Sequence, residues 1–188
     1  KDKKEGKIRQ RLLKIRAKKV ITATGSLERP MVFNNNDRPG IMLSSAIKKY
    51  VDFYGVIPGK NSVFFTNNDS AYESAISLHN KGIKVEAIID IREKSNSNII
   101  KEVEDVGIKI YWSHTVVNTQ GYKKLNEVSI MKLSKDDELV VGSKIKLKCD
   151  CLGLAGGWTP VVHLFTQSGG KLKFDEKDKV FLPNKYPS

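Results

Sequence analysis

Two short apolar runs end in glycine, residues 21–25 (ITATG) and residues 154–157 (LAGG). A strand that stops on residues without a Cβ presents bare backbone, against which a flat cofactor or another chain can lie. Between these runs, residues 66–71 (Thr-Asn-Asn-Asp-Ser-Ala) fall where a dinucleotide fold turns from its first strand into its first helix. A diphosphate held at such a turn needs glycines, because its oxygens must approach the helix N–H groups closely. This turn contains none, and Asp69, a good helix cap, would repel a phosphate. Asp90 stands 24 residues after Thr66, where an acidic side chain would hold an adenine ribose. Without the glycines it reads as a solvated residue at a strand end.

Other reactive side chains give weaker patterns. Arg29 and Arg38 lie in a loop, where a guanidinium can make paired hydrogen bonds to a phosphate or to a partner's oxyanions. His163 follows Pro160 among apolar residues and reads as packing or capping, while His79 and His114 have no carboxylate or cysteine partner nearby in sequence. Cys149 and Cys151 are one residue apart in a predicted strand, so they point to opposite faces and cannot close an ordinary disulfide. With no second cysteine pair, no zinc site is expected. No residue is assigned a catalytic role.

The elements that position these groups follow from periodicity. Residues 7–11 and 14–16 alternate charged and apolar side chains, as in a half-exposed strand, and 20–23 form a shorter apolar strand. Residues 27–40 are rich in Asn, Pro and Asp and read as a loop. Residues 43–54 read as a helix with Ile47, Tyr50, Val51 and Tyr54 on one face. Residues 62–66 form a buried strand, 69–81 a helix with Ala71, Ala75 and Leu78 on one face, and 84–90 a second strand, which makes a β-α-β unit. A helix over 98–106, a strand over 109–112, several strands over 115–149 and an apolar strand over 150–155 complete the pattern. Tyr72 and the two tryptophans read as core.

The charge balance narrows the classes of partner. The 188 residues carry 33 basic and 21 acidic side chains, a net charge of +12. Lys1 to Lys19 hold ten basic and two acidic residues, which leaves only +4 for the other 169. The body is mildly basic and lacks helix-turn-helix, ribonucleoprotein and zinc-finger signatures, so nucleic acid is not an expected partner. No apolar run reaches the length of a membrane span and no signal-peptide pattern opens the chain, so no membrane contact and a cytoplasmic location are expected. A chain that opens in mid-sheet also reads as an interior piece of something longer.

The glycine-ended strands flanking a β-α-β unit resemble the flavin-dependent pyridine nucleotide-disulfide oxidoreductases, in which one nucleotide domain is interrupted by another. More closely, the strings RAKKVITATGSLERPMVFNNNDRPGIML, VFFTNNDSAYESA and LAGGWTPVVHLFTQSGGKLKFDE resemble the alpha subunits of heterotetrameric sarcosine oxidases. The resemblance implies an α/β fold, a Rossmann-like three-layer nucleotide-binding domain with flanking strands of a split FAD/NAD-type domain. Residues 1–42 would be strands and loop of the interrupted domain, 43–149 the inserted Rossmann-like domain, and 150–188 the return segment. It further implies an NAD-binding region of a cytoplasmic flavoenzyme complex that demethylates sarcosine oxidatively to glycine, formaldehyde and hydrogen peroxide. FAD and FMN would belong to the parent complex. The partners would be the other subunits of the oxidase and the remainder of the alpha chain, and the isolated chain would be inactive. Carried over by position, Ala23, Thr24, Gly25, Arg29, Gly156, Gly157, Trp158 and Pro160 would lie against the dinucleotide. The alternative is a non-catalytic scaffold between subunits, with a degenerate nucleotide-binding fold that has lost its phosphate turn.

Overall fold

The computed structural model describes residues 10–186, which divide into two compact units: residues 26–160, and residues 10–25 together with 161–186. In chain order the elements are β1 (Ser26–Glu28), β2 (Ile41–Leu43), α1 (Ser44–Asp52), β3 (Asn61–Thr66), α2 (Ser70–Asn80), β4 (Lys84–Asp90), α3 (Asn98–Asp105), β5 (Lys109–Trp112), β6 (His114–Gln120), β7 (Glu127–Lys132), β8 (Ile145–Lys148), β9 (Cys151–Ala155), β10 (Trp158–Pro160), α4 (His163–Gln167), β11 (Lys171–Asp175) and β12 (Val180–Lys185).

The larger unit is built on a parallel five-stranded sheet in the order β2-β9-β3-β4-β5. Its strands are near-continuous apolar runs because both faces are covered. Phe64 and Ile88 join Ile47 of α1, Ala71, Tyr72, Ala75 and Leu78 of α2, and Ile100 and Val103 of α3 in one core layer. Val63, Phe65, Ala87 and Ile89 point the other way, onto Val116, Val128, Ile130 and Leu147 of the antiparallel sheet β6-β7-β8. The unit is therefore three-layered: helices, parallel sheet, antiparallel sheet. Cys149 and Cys151 lie in opposite core layers as free, buried thiols. Burial pushes the Cys149 thiol up to about 12 and the Cys151 thiol up to about 11, so both stay protonated and unreactive. Gly153 of β9 leaves room for the Phe64 ring, since a Cβ there would come within 2.5 Å of it.

Helix α1 follows β2 with no residue between, and no side chain of its own first turn caps it. The carboxylate comes from far away: Glu28, buried at the end of β1, accepts the Ser45 N–H at 2.8 Å. An anion at this end complements the helix dipole. Helix α2 ends as its composition predicts, with Gly82 at φ +72° and the Ile83 N–H returning to the Leu78 carbonyl.

Several expectations are corrected. Residues 14–16 and 20–23 are not strands; residues 10–25 hold no helix or strand and are exposed throughout. Alternation makes a strand only where a neighbour supplies the ladder hydrogen bonds, and none does among the described residues. Of the strand expected at 7–11, residues 7–9 lie outside the described residues. The loop expected at 27–40 contains β1, which exists because β10 pairs with it antiparallel, Glu28 opposite Trp158 and Ser26 opposite Pro160. The helix expected over 43–54 is α1, which ends at Asp52; Ile47 and Val51 on it are buried as expected, but Tyr50 is exposed, as is Tyr54 beyond its end. Among the described residues, no helix is long and apolar enough to cross a membrane.

In the smaller unit, α4 and the β11–β12 hairpin are tied by Phe165, whose ring meets Tyr186 edge-on at 5.6 Å and closes over Gly170. His163 opens α4 and is exposed.

Candidate functional site

Ligands of open parallel sheets bind beyond the carboxyl ends of the strands, at the point where strand order reverses. Here that point lies between β3, whose chain runs on to β4, and β9 on its other side. Two loops leave it: residues 66–70 after β3, and residues 155–158 after β9.

The first loop is closed by its own side chains. Asn68 Oδ1 accepts the Ser70 backbone N–H at 3.0 Å and the Ser70 hydroxyl at 2.6 Å, which fills the acceptor position at the start of α2. Its Nδ2 donates to the Ala155 carbonyl at 3.0 Å, and the Asn67 backbone N–H donates to the same carbonyl at 3.3 Å. Thr66 Oγ1 reaches both the Asn68 and Ala155 carbonyls. The crevice that would receive a diphosphate is thus stitched shut from β3 to β9. At the mouth of α2 the Ser70 N–H already has Asn68 as acceptor and the Tyr72 N–H has the Asp69 carbonyl, an arrangement that does not favour a diphosphate there.

The ribose position is also taken. Asp90, expected as a solvated residue, is fully buried. Its Oδ1 accepts the Arg92 backbone N–H at 2.9 Å and Nε at 3.0 Å; its Oδ2 accepts the Tyr72 hydroxyl and Arg92 Nη2, both at 2.8 Å. Arg92 Nη2 also reaches Asp69 at 2.8 Å. A buried carboxylate needs such partners, because desolvation is otherwise prohibitive. Burial and the facing Asp90 charge push the Tyr72 hydroxyl up, and the hydrogen bonds to Asp90 hold Arg92 firmly protonated. Tyr72 is core, as expected, and its ring stacks on the half-buried Trp112 at 6.2 Å. No sequence pattern we used singled out this network. The signal lay in Asp90-Ile91-Arg92, an acid and a base two apart at a strand end, which can face each other once the strand bends away.

The second loop carries three of the eight residues that the resemblance pointed to, Gly156, Gly157 and Trp158, and two more, Arg29 and Pro160, lie in the ribbon that it joins. Arg29 N–H donates to the Gly157 carbonyl and Gly156 N–H to the Arg29 carbonyl, both at 2.8 Å, extending the β1–β10 ribbon past Glu28. Gly156 is glycine because a Cβ there would meet the Pro30 carbonyl oxygen at 2.8 Å and that of Arg29 at 2.9 Å. Gly157 has φ +100°, and a Cβ on it would meet the Arg29 guanidinium at 2.8 Å. The bareness of this glycine pair is used by the chain's own Arg29-Pro30 segment. Trp158 is partly exposed, contrary to its reading as core, and Pro160 ends the ribbon opposite Ser26.

Ala23, Thr24 and Gly25 belong to the other unit. There Thr24 Oγ1 donates to the Val161 carbonyl and Val161 N–H to the Gly25 carbonyl. Gly25 has φ +67° and open space where its Cβ would be, so it is the candidate glycine whose bare face is unoccupied. Arg38 is committed to the fold, donating to Thr119 Oγ1 and to the Gly121 carbonyl. Among the described residues no cluster of His, Cys, Asp or Glu could hold a metal ion.

No protein-family model matches the chain. It is 41% identical over 181 residues to the sarcosine oxidase subunit alpha of Corynebacterium sp. (strain P-1), covering 95% of this chain and 18% of that one. It is 32% identical over 179 residues to the sarcosine oxidase subunit alpha of Rhizobium meliloti (strain 1021), covering 92% and 16%. The chain thus spans less than a fifth of the curated relatives it matches. Among solved structures, a T. acidophilum thioredoxin reductase superposes with a TM-score of 0.60 at 17% identity, over 88% of this chain and 56% of that one. L-proline dehydrogenase from P. horikoshii gives 0.51 at 23%, over 86% and 25%. These identities establish the fold: a Rossmann-like mixed α/β architecture of the kind found in FAD- and NAD-dependent oxidoreductases.

Proposed function

We propose that this chain, related over nearly its whole length to sarcosine oxidase alpha subunits, supplies one wall of an NAD site in an amine-oxidising flavoenzyme complex. In this reading residues 1–42 and 150–188 belong to an interrupted nucleotide domain, and 43–149 to the domain inserted in it. The residues the dinucleotide would use are those the resemblance points to, Ala23, Thr24 and Gly25 in the smaller unit and Arg29, Gly156, Gly157, Trp158 and Pro160 in the larger. Its diphosphate is gripped by a glycine-rich turn elsewhere in the polypeptide. The observation that carries this is the contrast between two backbone segments: in the turn after β3 Asn68 already fills the acceptor position at the start of α2, while Gly25 keeps an open backbone face.

The chemistry belongs to the complex: oxidative demethylation of sarcosine to glycine, formaldehyde and hydrogen peroxide, with FAD and FMN supplying the redox steps. In this reading this chain's residues bind and orient, and the proton and hydride transfers fall to the rest of the complex. The partners are the other oxidase subunits and the rest of the alpha chain, in the cytoplasm.

The stitched Asn68 turn also favours a second reading, a subunit scaffold whose nucleotide function is lost. Calorimetric titration with NAD separates the two. A half-site predicts no heat from the chain alone and micromolar binding, about −8 kcal/mol, by the longer polypeptide that contains it. Silence from both leaves the scaffold, and micromolar binding by the chain alone contradicts the half-site.

A further inference from the structure

Among the described residues, two carboxylates have an oxygen that is buried and accepts no hydrogen bond, those of Glu28 and Glu127. Glu127 has a cation beside that oxygen, the Lys146 ammonium at 3.2 Å. Glu28 differs. Its Oε2 accepts the Ser45 N–H at 2.8 Å at the start of α1, while its Oε1 is met by no donor. The residue is 8% exposed, so the carboxylate lies just beneath the surface of the larger unit and not in its deep core. A buried carboxylate oxygen without a donor destabilises the chain that carries it, and its presence in a fold calls for a group that completes it.

The neighbourhood narrows what that group is. Glu28 stands directly opposite Trp158 in the β1–β10 ribbon, so the two side chains share a face. Trp158 is 39% exposed, and an indole open to solvent beside an anion is a stacking surface for a flat, cationic ring. The free Oε1 selects an N–H or O–H donor, and its charge repels phosphate. Of the parts of NAD, the diphosphate is excluded on that ground and the adenine is flat but neutral. The nicotinamide ring is flat, positively charged when oxidised, and carries a carboxamide whose N–H groups donate. The adenosine half also has its place elsewhere, because the acid that holds its ribose follows the glycine-rich turn by about 20 residues and so belongs with that turn.

We propose, on the premise that the NAD reading holds, that Glu28 receives the nicotinamide end of the dinucleotide. Its Oε1 accepts a carboxamide N–H, its charge favours the oxidised ring over the reduced one, and Trp158 supplies the stacking face.

The test is calorimetric titration of the longer polypeptide that contains this chain with NAD+, NADH and the 3-acetylpyridine analogue of NAD+, which keeps the ring charge but lacks the N–H donor. Wild type should bind NAD+ about tenfold more tightly than either of the others. Glu28→Gln, which keeps an acceptor for the Ser45 N–H, should weaken NAD+ about tenfold and NADH by no more than about twofold, so that the redox preference disappears. Trp158→Leu removes the stacking face and not the charge, and should weaken NAD+ and NADH by the same factor. Far-UV circular dichroism checks that the variants fold, and if Glu28→Gln does not, the wild-type ligand series decides. Equal affinity of wild type for all three ligands, or a preference for NAD+ that survives in Glu28→Gln, would overturn the assignment while leaving the NAD reading intact. Wild type that binds none of the three contradicts the NAD reading and the assignment with it.

Discussion

Replacing Arg92 with alanine is expected to destabilise the unit of residues 26–160 by about 3–5 kcal/mol, measured by urea denaturation. The reason is asymmetry. Asp90 is fully buried, and Arg92 supplies four of the five hydrogen bonds its carboxylate accepts. Truncating the side chain removes three of them and the compensating charge, and leaves an anion among Tyr72, Trp112 and the strand ends. Lysine should restore only part of the loss, because one ammonium cannot present Nε and Nη2 to the two carboxylate oxygens together. Tyr72→Phe removes one bond to a charged acceptor and should cost about 1.5–3 kcal/mol. The decisive comparison is Asp90→Asn in the Arg92→Ala background. Neutralising the stranded charge should recover stability, whereas a further loss would show that the guanidinium acts by packing alone.

The second large effect concerns the ribbon of β1 and β10. Gly156→Ala should cost about 1–3 kcal/mol and should expose the amides of Arg29 and residue 156 to hydrogen exchange. Its new Cβ would be driven into the carbonyl oxygens of Arg29 and Pro30, both backbone atoms that cannot swing aside. Moving them breaks the paired bonds between Arg29 and the glycine pair. Gly25→Ala is the matched control. It meets nothing within 4 Å and costs only the strain of φ +67°, about 1–2 kcal/mol, leaving exchange at Arg29 and Gly156 unchanged. Equal protection in both variants would mean that Gly156 is not a close-approach glycine.

The β-α-β unit was legible because its signals are local. Ser62 to Thr66 is too apolar for anything but a strand covered on both sides; Ala71, Ala75 and Leu78 recur at helical spacing; Gly82 supplies the left-handed stop. The lack of glycine at residues 66–71 predicted an unreceptive turn, and what the sequence did not indicate is that Asn68 fills the acceptor position at the start of α2 itself. What periodicity could not supply was long-range partnership. Whether Asp90 is wet or buried depends on Arg92 and Tyr72 folding over it. Whether Ser26–Glu28 is strand or loop depends on Trp158–Pro160, more than a hundred residues away. The same limit explains residues 14–16 and 20–23, which have a strand's alternation but no neighbouring strand to pair with among the described residues. Helical spacing likewise put Tyr50 and Tyr54 with Ile47, but the helix buries a narrower stripe that leaves Tyr50 outside, and it ends at Asp52, before Tyr54.

The most direct measurement is the position of the diphosphate in a structure of NAD bound to the polypeptide that contains this chain. It should run past Ala23, Thr24 and Gly25 toward a glycine-rich turn outside residues 1–188, with the Asn68 side chain still joined to Ser70 and Ala155. A diphosphate seated on the backbone of Asn67 to Ser70, with Asn68 turned out of its place, would contradict the reading.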